Sequence, residues 1–256
     1  MQKENQILLE LLNGVDNWAD LKSKLEHFNT SQTETTTKKT LAGKVFEVFA
    51  KYYFQTKPQK TELYEHVWLY DDIPLKIKEQ LRLPSVDHGI DLLLQDYEKR
   101  FYAVQCKFKN DENKSLSWSG DKIANVFALG TNCDKVVVFT NVSDITQVAK
   151  SFEQKFELIA FDELISTEKD IIENIFLLAK GNQPKELEKY TPQPHQNIAI
   201  TKVLEHFESN NRAQLILPCG AGKSLTSLWL KEKINPEITL VLVPSCLLYT
   251  SPSPRD

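Results

Sequence analysis

Apolar residues recur three and four apart at the start of the chain, at Ile7, Leu8, Leu11, Leu12, Val15, Trp18, Leu21, Leu25 and Phe28. That spacing predicts one or two amphipathic helices over 5–28, broken near Gly14. The Thr-rich run TSQTETTTKKT at 30–40 reads as a linker or helix cap. LAGKVFEVFAKYYF at 41–54 returns to helical spacing, and a strand follows near 63–70. The period then changes. IDLLLQ at 90–95 and FYAVQCKF at 101–108 predict two strands paired as a hairpin across DYEKR. A helix at about 120–130 leads to KVVVFTN at 135–141, whose unbroken apolar run suits a strand buried on both faces. A helix near 144–154, the strand FELIAF at 156–161 and a helix near 169–179 follow. Residues 180–194, KGNQPKELEKYTPQP, concentrate proline and charge and mark a boundary. Beyond it the order is helix, strand (213–217), glycine-rich turn, helix (223–233), and a further strand in EITLVLVPS at 237–245. The mixture of strands and helices predicts an α/β chain.

Composition narrows this picture. A length of 256 residues allows one large domain or two ordinary ones. With 41% hydrophobic and 10% aromatic residues the chain can build cores and is not a disordered type. Lys and Arg number 31 against 35 Asp and Glu, net −4, which excludes a globally basic protein but not a locally basic groove. No apolar run reaches the roughly 18 residues of a membrane span, and MQKENQILLELL has no signal-peptide pattern. The four cysteines, Cys106, Cys133, Cys219 and Cys246, form no CxxC pair, so neither a disulfide scaffold nor a zinc site is expected. The expectation is a soluble, cytoplasmic protein.

Chemistry enters at the hairpin. Asp91 opens the first strand, and Gln105 and Lys107 lie fourteen and sixteen residues on, in the second. Side chains alternate along a strand, so Gln105 and Lys107 share one face, while Val104, Cys106 and Phe108 take the other. A hairpin would lay Asp91 beside the polar pair. The three then gather a carboxylate, an amide oxygen and an ammonium round one point. Mg2+ is a hard ion that takes oxygen ligands, so Asp91 and the Gln105 side-chain oxygen suit it. Lys107 would orient or help deprotonate the water that attacks phosphorus. The other reading of this trio is a solvated edge strand that binds nothing. Lys107, Lys109, Lys114 and Lys122, with Trp118, would line a DNA groove or form a solvated loop. His88 has no metal spacing, and Asp87 reads as a loop or cap residue.

GKVFEVFAKYYF, YEHVWLYDD, DHGIDLLL, YAVQCKF and KVVVFTN, in that order over 41–161, resemble the PD-(D/E)xK nuclease fold. The likeness is to the variant in which Gln replaces the second acid, as in Mrr-type restriction endonucleases. Ile90 stands where the name-giving Pro would be. The resemblance implies an α/β/α restriction-endonuclease-like core and Mg-dependent DNA cleavage. It also matches Glu47 to the acid that the fold's first helix contributes as a catalytic and metal residue. A pair with Lys51 one turn on is the alternative for Glu47.

A second constellation follows the strand at 213–217. In Pro218-Cys219-Gly220-Ala221-Gly222-Lys223-Ser224 the glycines would let backbone N–H groups curl round phosphate oxygens, and a helix starts at once. Lys223 would neutralise the β- and γ-phosphates of ATP, and Ser224 would hold Mg2+. Leu217 occupies the place of the first glycine of the strict GxxxxGK[ST] pattern. The shorter form resembles motif I of superfamily 2 helicases, with Gln196 in PQPHQNIAI as the glutamine that reads the adenine edge and LVLVPS as motif Ia. Gln193 stands where relatives often carry Arg. A surface glycine turn and a generic P-loop kinase are the rival readings. The resemblance implies a truncated RecA-like P-loop domain. Without a later acidic motif and an arginine finger it would bind nucleotide weakly and not act as a motor.

The last eleven residues, CLLYTSPSPRD at 246–256, read as the translation of a transposase sequencing adaptor, and the natural protein is expected to be longer. The expected organisation is a helical region and linker (1–40), the nuclease-like domain (41–180), a linker (181–194), the start of a helicase ATP-binding domain (195–245) and the adaptor stretch (246–256). This order resembles the front of single-polypeptide, Type I-like restriction enzymes and related helicases, with DNA and ATP as partners and Mg2+ and ATP as cofactors. An inactive nuclease fold that grips DNA or docks a partner, and a repair or viral helicase-nuclease, stay open. Recognition site and oligomeric state are not legible.

Overall fold

The computed structural model describes residues 2–31, 36–86, 88–111, 114–151, 155–186, 191–218 and 221–240. The first apolar stripe folds as α1 (Gln2–Leu12) and α2 (Trp18–Ser31), and Gly14 takes φ +69° between them. Helix α3 runs Thr36–Thr56, so the helix expected at 41–54 starts inside the Thr-rich run. Residues 32–35 of that run lie outside the described residues. After the short α4 (Pro58–Thr61) come β1 (Tyr64–Leu69), α5 (Leu75–Gln80), β2 (Leu92–Asp96) and β3 (Phe101–Lys107). Then come α6 (Ile123–Leu129), β4 (Lys135–Thr140), α7 (Gln147–Lys150), β5 (Phe156–Ile159), α8 (Phe161–Ile165) and α9 (Lys169–Ala179). The pattern did not announce α5 and α8, which are too short to show a helical period.

The five strands form one sheet in the order β1-β2-β3-β4-β5. β1/β2 and β2/β3 are antiparallel, and β3/β4 and β4/β5 are parallel. The central strand β3 is therefore buried on both faces, as its apolar neighbours demand. Helix α3 covers one face: Phe46 meets Phe108 and Phe139, and Phe49, Tyr53 and Phe54 also pack on Phe139. Trp18 of α2 stacks into the same group through Phe46 and Phe49. The other face buries Ile90, Leu93, Ala103 and Val136 with Val126 of α6. Helix α6 begins three residues later than expected because Ser117 and Asp121 bond reciprocally and hold 117–121 as a turn.

The hairpin is fixed at its turn. Asp96, 2% exposed, accepts from the Arg100 backbone N–H (2.9 Å), Arg100 Nε (2.7 Å) and the Tyr102 hydroxyl (2.8 Å). Burial alone would raise its pKa; the Arg100 bonds and the Tyr102 hydroxyl outweigh it and hold the carboxyl below the usual aspartate range. A depressed folded-state pKa gives stability that is fully present above the unfolded value and is lost as pH falls through the folded one. Urea midpoints should therefore fall more steeply below about pH 4 in wild type than in Asp96→Asn, which should be the less stable protein at pH 7.

Contacts divide the chain into two units, Met1–Glu186 and Leu187–Asp256. The second holds α10 (Pro194–Phe207) and α11 (Lys223–Ile234). The strand expected at 213–217 does not form, nor does any strand over 237–240; Ile216, Ile238 and Leu240 are exposed. A strand needs a neighbour for its backbone N–H and C=O groups, and among the described residues this unit offers none. Residues 241–256, with most of LVLVPS and all of CLLYTSPSPRD, lie outside the described residues, as do Asp87, Cys219 and Gly220. Among the described residues no helix is long and apolar enough to cross a membrane.

Candidate active site and nucleotide loop

β2 and β3 bring Asp91 and Gln105 together. The ladder pairs Leu92 with Val104, and Asp91 N–H, just before it, donates to the Val104 carbonyl at 2.8 Å, which holds Asp91 beside the Gln105 stretch of β3. Gln105 Nε2 donates to Asp91 Oδ2 at 2.5 Å, and the Cys106 backbone N–H donates to the same oxygen at 2.6 Å. Both side chains are buried, Asp91 at 7% exposure and Gln105 at 2%. Gln105 Oε1 is buried with no hydrogen-bond partner. Leaving such an acceptor unpaired costs about 1–3 kcal/mol, so this oxygen waits for a donor or a cation. Lys107 lies two residues on, half-buried at the end of β3, and by alternation faces the same way as Gln105. Among the described residues its ammonium has no hydrogen-bonding or ion-pair partner.

Glu47 sits half-buried on α3. Cys106 pairs with Phe139 across β3/β4, and Phe139 packs on α3, so this helix covers the face opposite Gln105 and Lys107. Lys51, one turn further along, bonds Asp72 at 3.1 Å. Among the described residues no three His, Cys, Asp or Glu side chains cluster as a metal site.

The chain before Asp91 is shaped round Gln105. Gly89 has φ +134°, a backbone that side-chain-bearing residues rarely adopt. A Cβ there would stand 2.7 Å from Asn125 Cβ and 3.5 Å from Gln105 Oε1. Asn125 Nδ2 in turn donates to the His88 carbonyl at 3.1 Å. Gly89→Ala should therefore destabilise the fold by about 1–3 kcal/mol, which urea unfolding checks. Sequence reading passed over Gly89; its signal was a glycine two residues before a strand-opening acid.

The lysines of the following loop are mostly spent on their own acids. Lys109 pairs with Asp121 at 2.5 Å and Lys114 with Asp111 at 3.7 Å. Burial works against the Asp121 charge, but bonds from Lys109 and Ser117 prevail and lower its pKa. Trp118 packs against Phe127 at 5.0 Å. Lys122, exposed, caps α6 with φ +58°, and His88 is exposed. Cys106 and Cys133 are buried, and burial pushes the Cys133 pKa up to about 12.

In the second unit the glycine-rich loop is tied to α10. Gln196, 5% exposed, accepts from Gln193 N–H at 2.8 Å and donates from Nε2 to the Ala221 carbonyl at 3.1 Å. Gly222 takes φ +72°, and a Cβ there would fall 2.3 Å from Gln196 Nε2. Lys223 Nζ caps the carbonyls of Leu217 (3.2 Å) and Pro218 (3.1 Å), and Ser224 is exposed. The Gln196 amide thus holds the loop and its helix together through both of its ends.

These two constellations coincide with two family matches. Residues 55–157 match the family described as restriction endonuclease, of the Mrr catalytic kind, and 189–251 match that described as Type III restriction enzyme, res subunit. A restriction-endonuclease domain is followed by a helicase-type domain. The first match takes in Asp91, Gln105 and Lys107 and leaves Glu47 outside; the second takes in Gln196 and Gly220–Ser224. The restriction-endonuclease domain holds the five-stranded mixed sheet. Among solved structures the chain is similar to an ATP-dependent Type ISP restriction-modification enzyme, LlaBIII, bound to DNA. The TM-score is 0.60 and the identity 22%, over 80% of this chain and 13% of that one, a likeness of fold. The chain therefore spans about an eighth of that protein. No curated protein matches the chain.

Proposed function

We propose that the restriction-endonuclease domain cleaves DNA phosphodiesters with Mg2+, and that the helicase-type domain contributes to ATP-driven translocation in an ATP-dependent restriction enzyme. The observation that carries this reading is the buried Asp91–Gln105 pair, whose unpartnered Gln105 Oε1 shares a strand face with the Lys107 amine. A buried carboxylate beside an orphaned amide oxygen is the donor set a hard, oxygen-seeking cation takes. Asp91 and Gln105 would hold Mg2+, which when bound would offset negative charge on the reacting phosphate. Gln105 Nε2 and the Cys106 N–H fix the Asp91 carboxylate so that it need not reorganise. Lys107 would orient the attacking water and help remove its proton. Glu47, half-buried on α3, would be the acid that the first helix adds to the site. In the helicase-type domain Lys223 and Ser224 would meet ATP phosphates and their Mg2+, and Gln196 the adenine edge; Lys223 and Gln196 must first give up or share the contacts they make to the loop.

Supercoiled plasmid incubated with the full chain and Mg2+ should become nicked, and chelation by EDTA should stop it. A second reading is supported by the small donor set: with no group of three His, Cys, Asp or Glu side chains among the described residues, the domain would grip DNA or dock a partner without cutting. DNA binding undiminished by EDTA, with no nicking at any Mg2+ concentration, would establish that reading instead.

A further inference from the structure

We propose that Thr140 and Asn141 are positioning residues for Lys107, extending the hold of β4 on β3 past the last paired residues and so fixing where the Lys107 amine stands. This rests on the reading of Lys107 as the amine of the cleavage site.

The parallel ladder between β3 and β4 ends at Lys107 and Thr140. A strand end frays unless something holds it, and Lys107 is the last residue of β3. Three side-chain bonds take over where the ladder stops. Thr140 Oγ1 donates to the Lys107 carbonyl at 2.7 Å. Asn141 Oδ1 accepts from the Lys109 N–H at 2.8 Å, and Asn141 Nδ2 donates to the Lys109 carbonyl at 2.6 Å. An asparagine amide carries the same donor and acceptor as a peptide group, so Asn141 pairs with Lys109 as another strand residue would. Lys107 is thus held at its own carbonyl and again two residues on.

Thr140 and Asn141 are both 0% exposed, at the end of the apolar run KVVVF. A core position needs no polar group, and a buried hydroxyl or amide is tolerated only when bonded. Here every bond but one, the Val142 N–H donating to Thr140 Oγ1 at 3.3 Å, goes to the segment that carries Lys107. Lys109, two residues past the end of β3, is held by Asp121. The clamp therefore steadies a stretch in which one lysine is tied back and the other is left to work.

The test uses the full chain with Mg2+ and supercoiled plasmid. Thr140→Val keeps the shape and removes the donor; Thr140→Ser keeps the donor. A misplacement of about 1 Å costs roughly 100-fold, so Asn141→Ala should lower kcat about 100-fold and Thr140→Val about 10-fold, with KM for DNA unchanged. Thr140→Ser should restore the rate, and the pH–rate profile of Thr140→Val should be displaced from that of wild type. Amide exchange at Phe108 and Lys109 should quicken in both weakened variants, a readout independent of cleavage. Should Asn141→Ala fail to fold, the Thr140 pair carries the comparison. Wild-type kcat and pH profile in Thr140→Val, beside an inactive Lys107→Ala, would overturn the positioning role alone. Equal losses in Thr140→Val and Thr140→Ser would overturn it too, as a packing effect. A Lys107→Ala chain that cuts like wild type, or a wild type that does not cut, overturns the cleavage reading and this one with it.

Discussion

Lys107→Ala is expected to lower the rate of Mg2+-dependent plasmid nicking by about 100- to 10,000-fold, the range a positioned proton-transfer group supplies. The loss should fall on kcat, with DNA affinity little changed, because a single amine at the end of β3 is a small part of any phosphate-contacting surface. Removing it should cost little stability, since among the described residues no partner is orphaned by its loss. A soluble Lys107→Ala protein with a wild-type unfolding midpoint and no nicking is the expected result. Lys107→Arg keeps the charge but presents a planar, forked group in place of a compact ammonium, so it should not restore the rate. Nicking by Lys107→Ala within a few-fold of wild type would remove the amine from the chemistry.

The largest loss of stability is expected from Trp18→Ala. Trp18 is 1% exposed and packs on Phe46 and Phe49, which themselves meet Phe139 of the sheet. Truncating a buried tryptophan costs about 3–5 kcal/mol, which in a domain of this size lowers the unfolding midpoint by roughly 10 °C. Trp18→Phe, which keeps a ring against Phe49, should lose much less. Thermal unfolding followed by circular dichroism separates them, and a loss under about 1 kcal/mol for the alanine variant would mean that α2 lies on the sheet-bearing unit without stabilising it.

The sheet and its site were legible in the sequence for reasons of geometry. The period of two in FYAVQCKF put Gln105 and Lys107 on one face, and the short turn between the two runs let a hairpin bring Asp91 to Gln105. The unbroken apolar run KVVVF marked β4 as buried on both sides. The residues that escaped notice act singly, in roles that depend on tertiary neighbours. Gly89 matters because Asn125 comes within reach from α6, which no local pattern encodes. Thr140 and Asn141 read as strand-end polar residues, and only the neighbouring strand shows that their bonds go to Lys107 and Lys109. The helicase-type unit went the other way. AQLIL and EITL carry strand-like sequences, yet a strand exists only with a partner, and over 213–217 and 237–240 none is present among the described residues. The Thr-rich run likewise gave no sign that α3 would begin at Thr36, since threonine is a weak helix former whose helicity depends on the neighbouring residues that carry the helix onward.

Anomalous diffraction from crystals of the full chain soaked in Mn2+, as a visible substitute for Mg2+, tests the convergence of Asp91, Gln105 and Lys107 most directly. The expected result is an ion coordinated by the Asp91 carboxylate and Gln105 Oε1 at about 2.1–2.2 Å, with the Lys107 amine facing the same space. A soaked crystal with no ion between those two oxygens, or with Gln105 Oε1 turned away towards another donor, would contradict it.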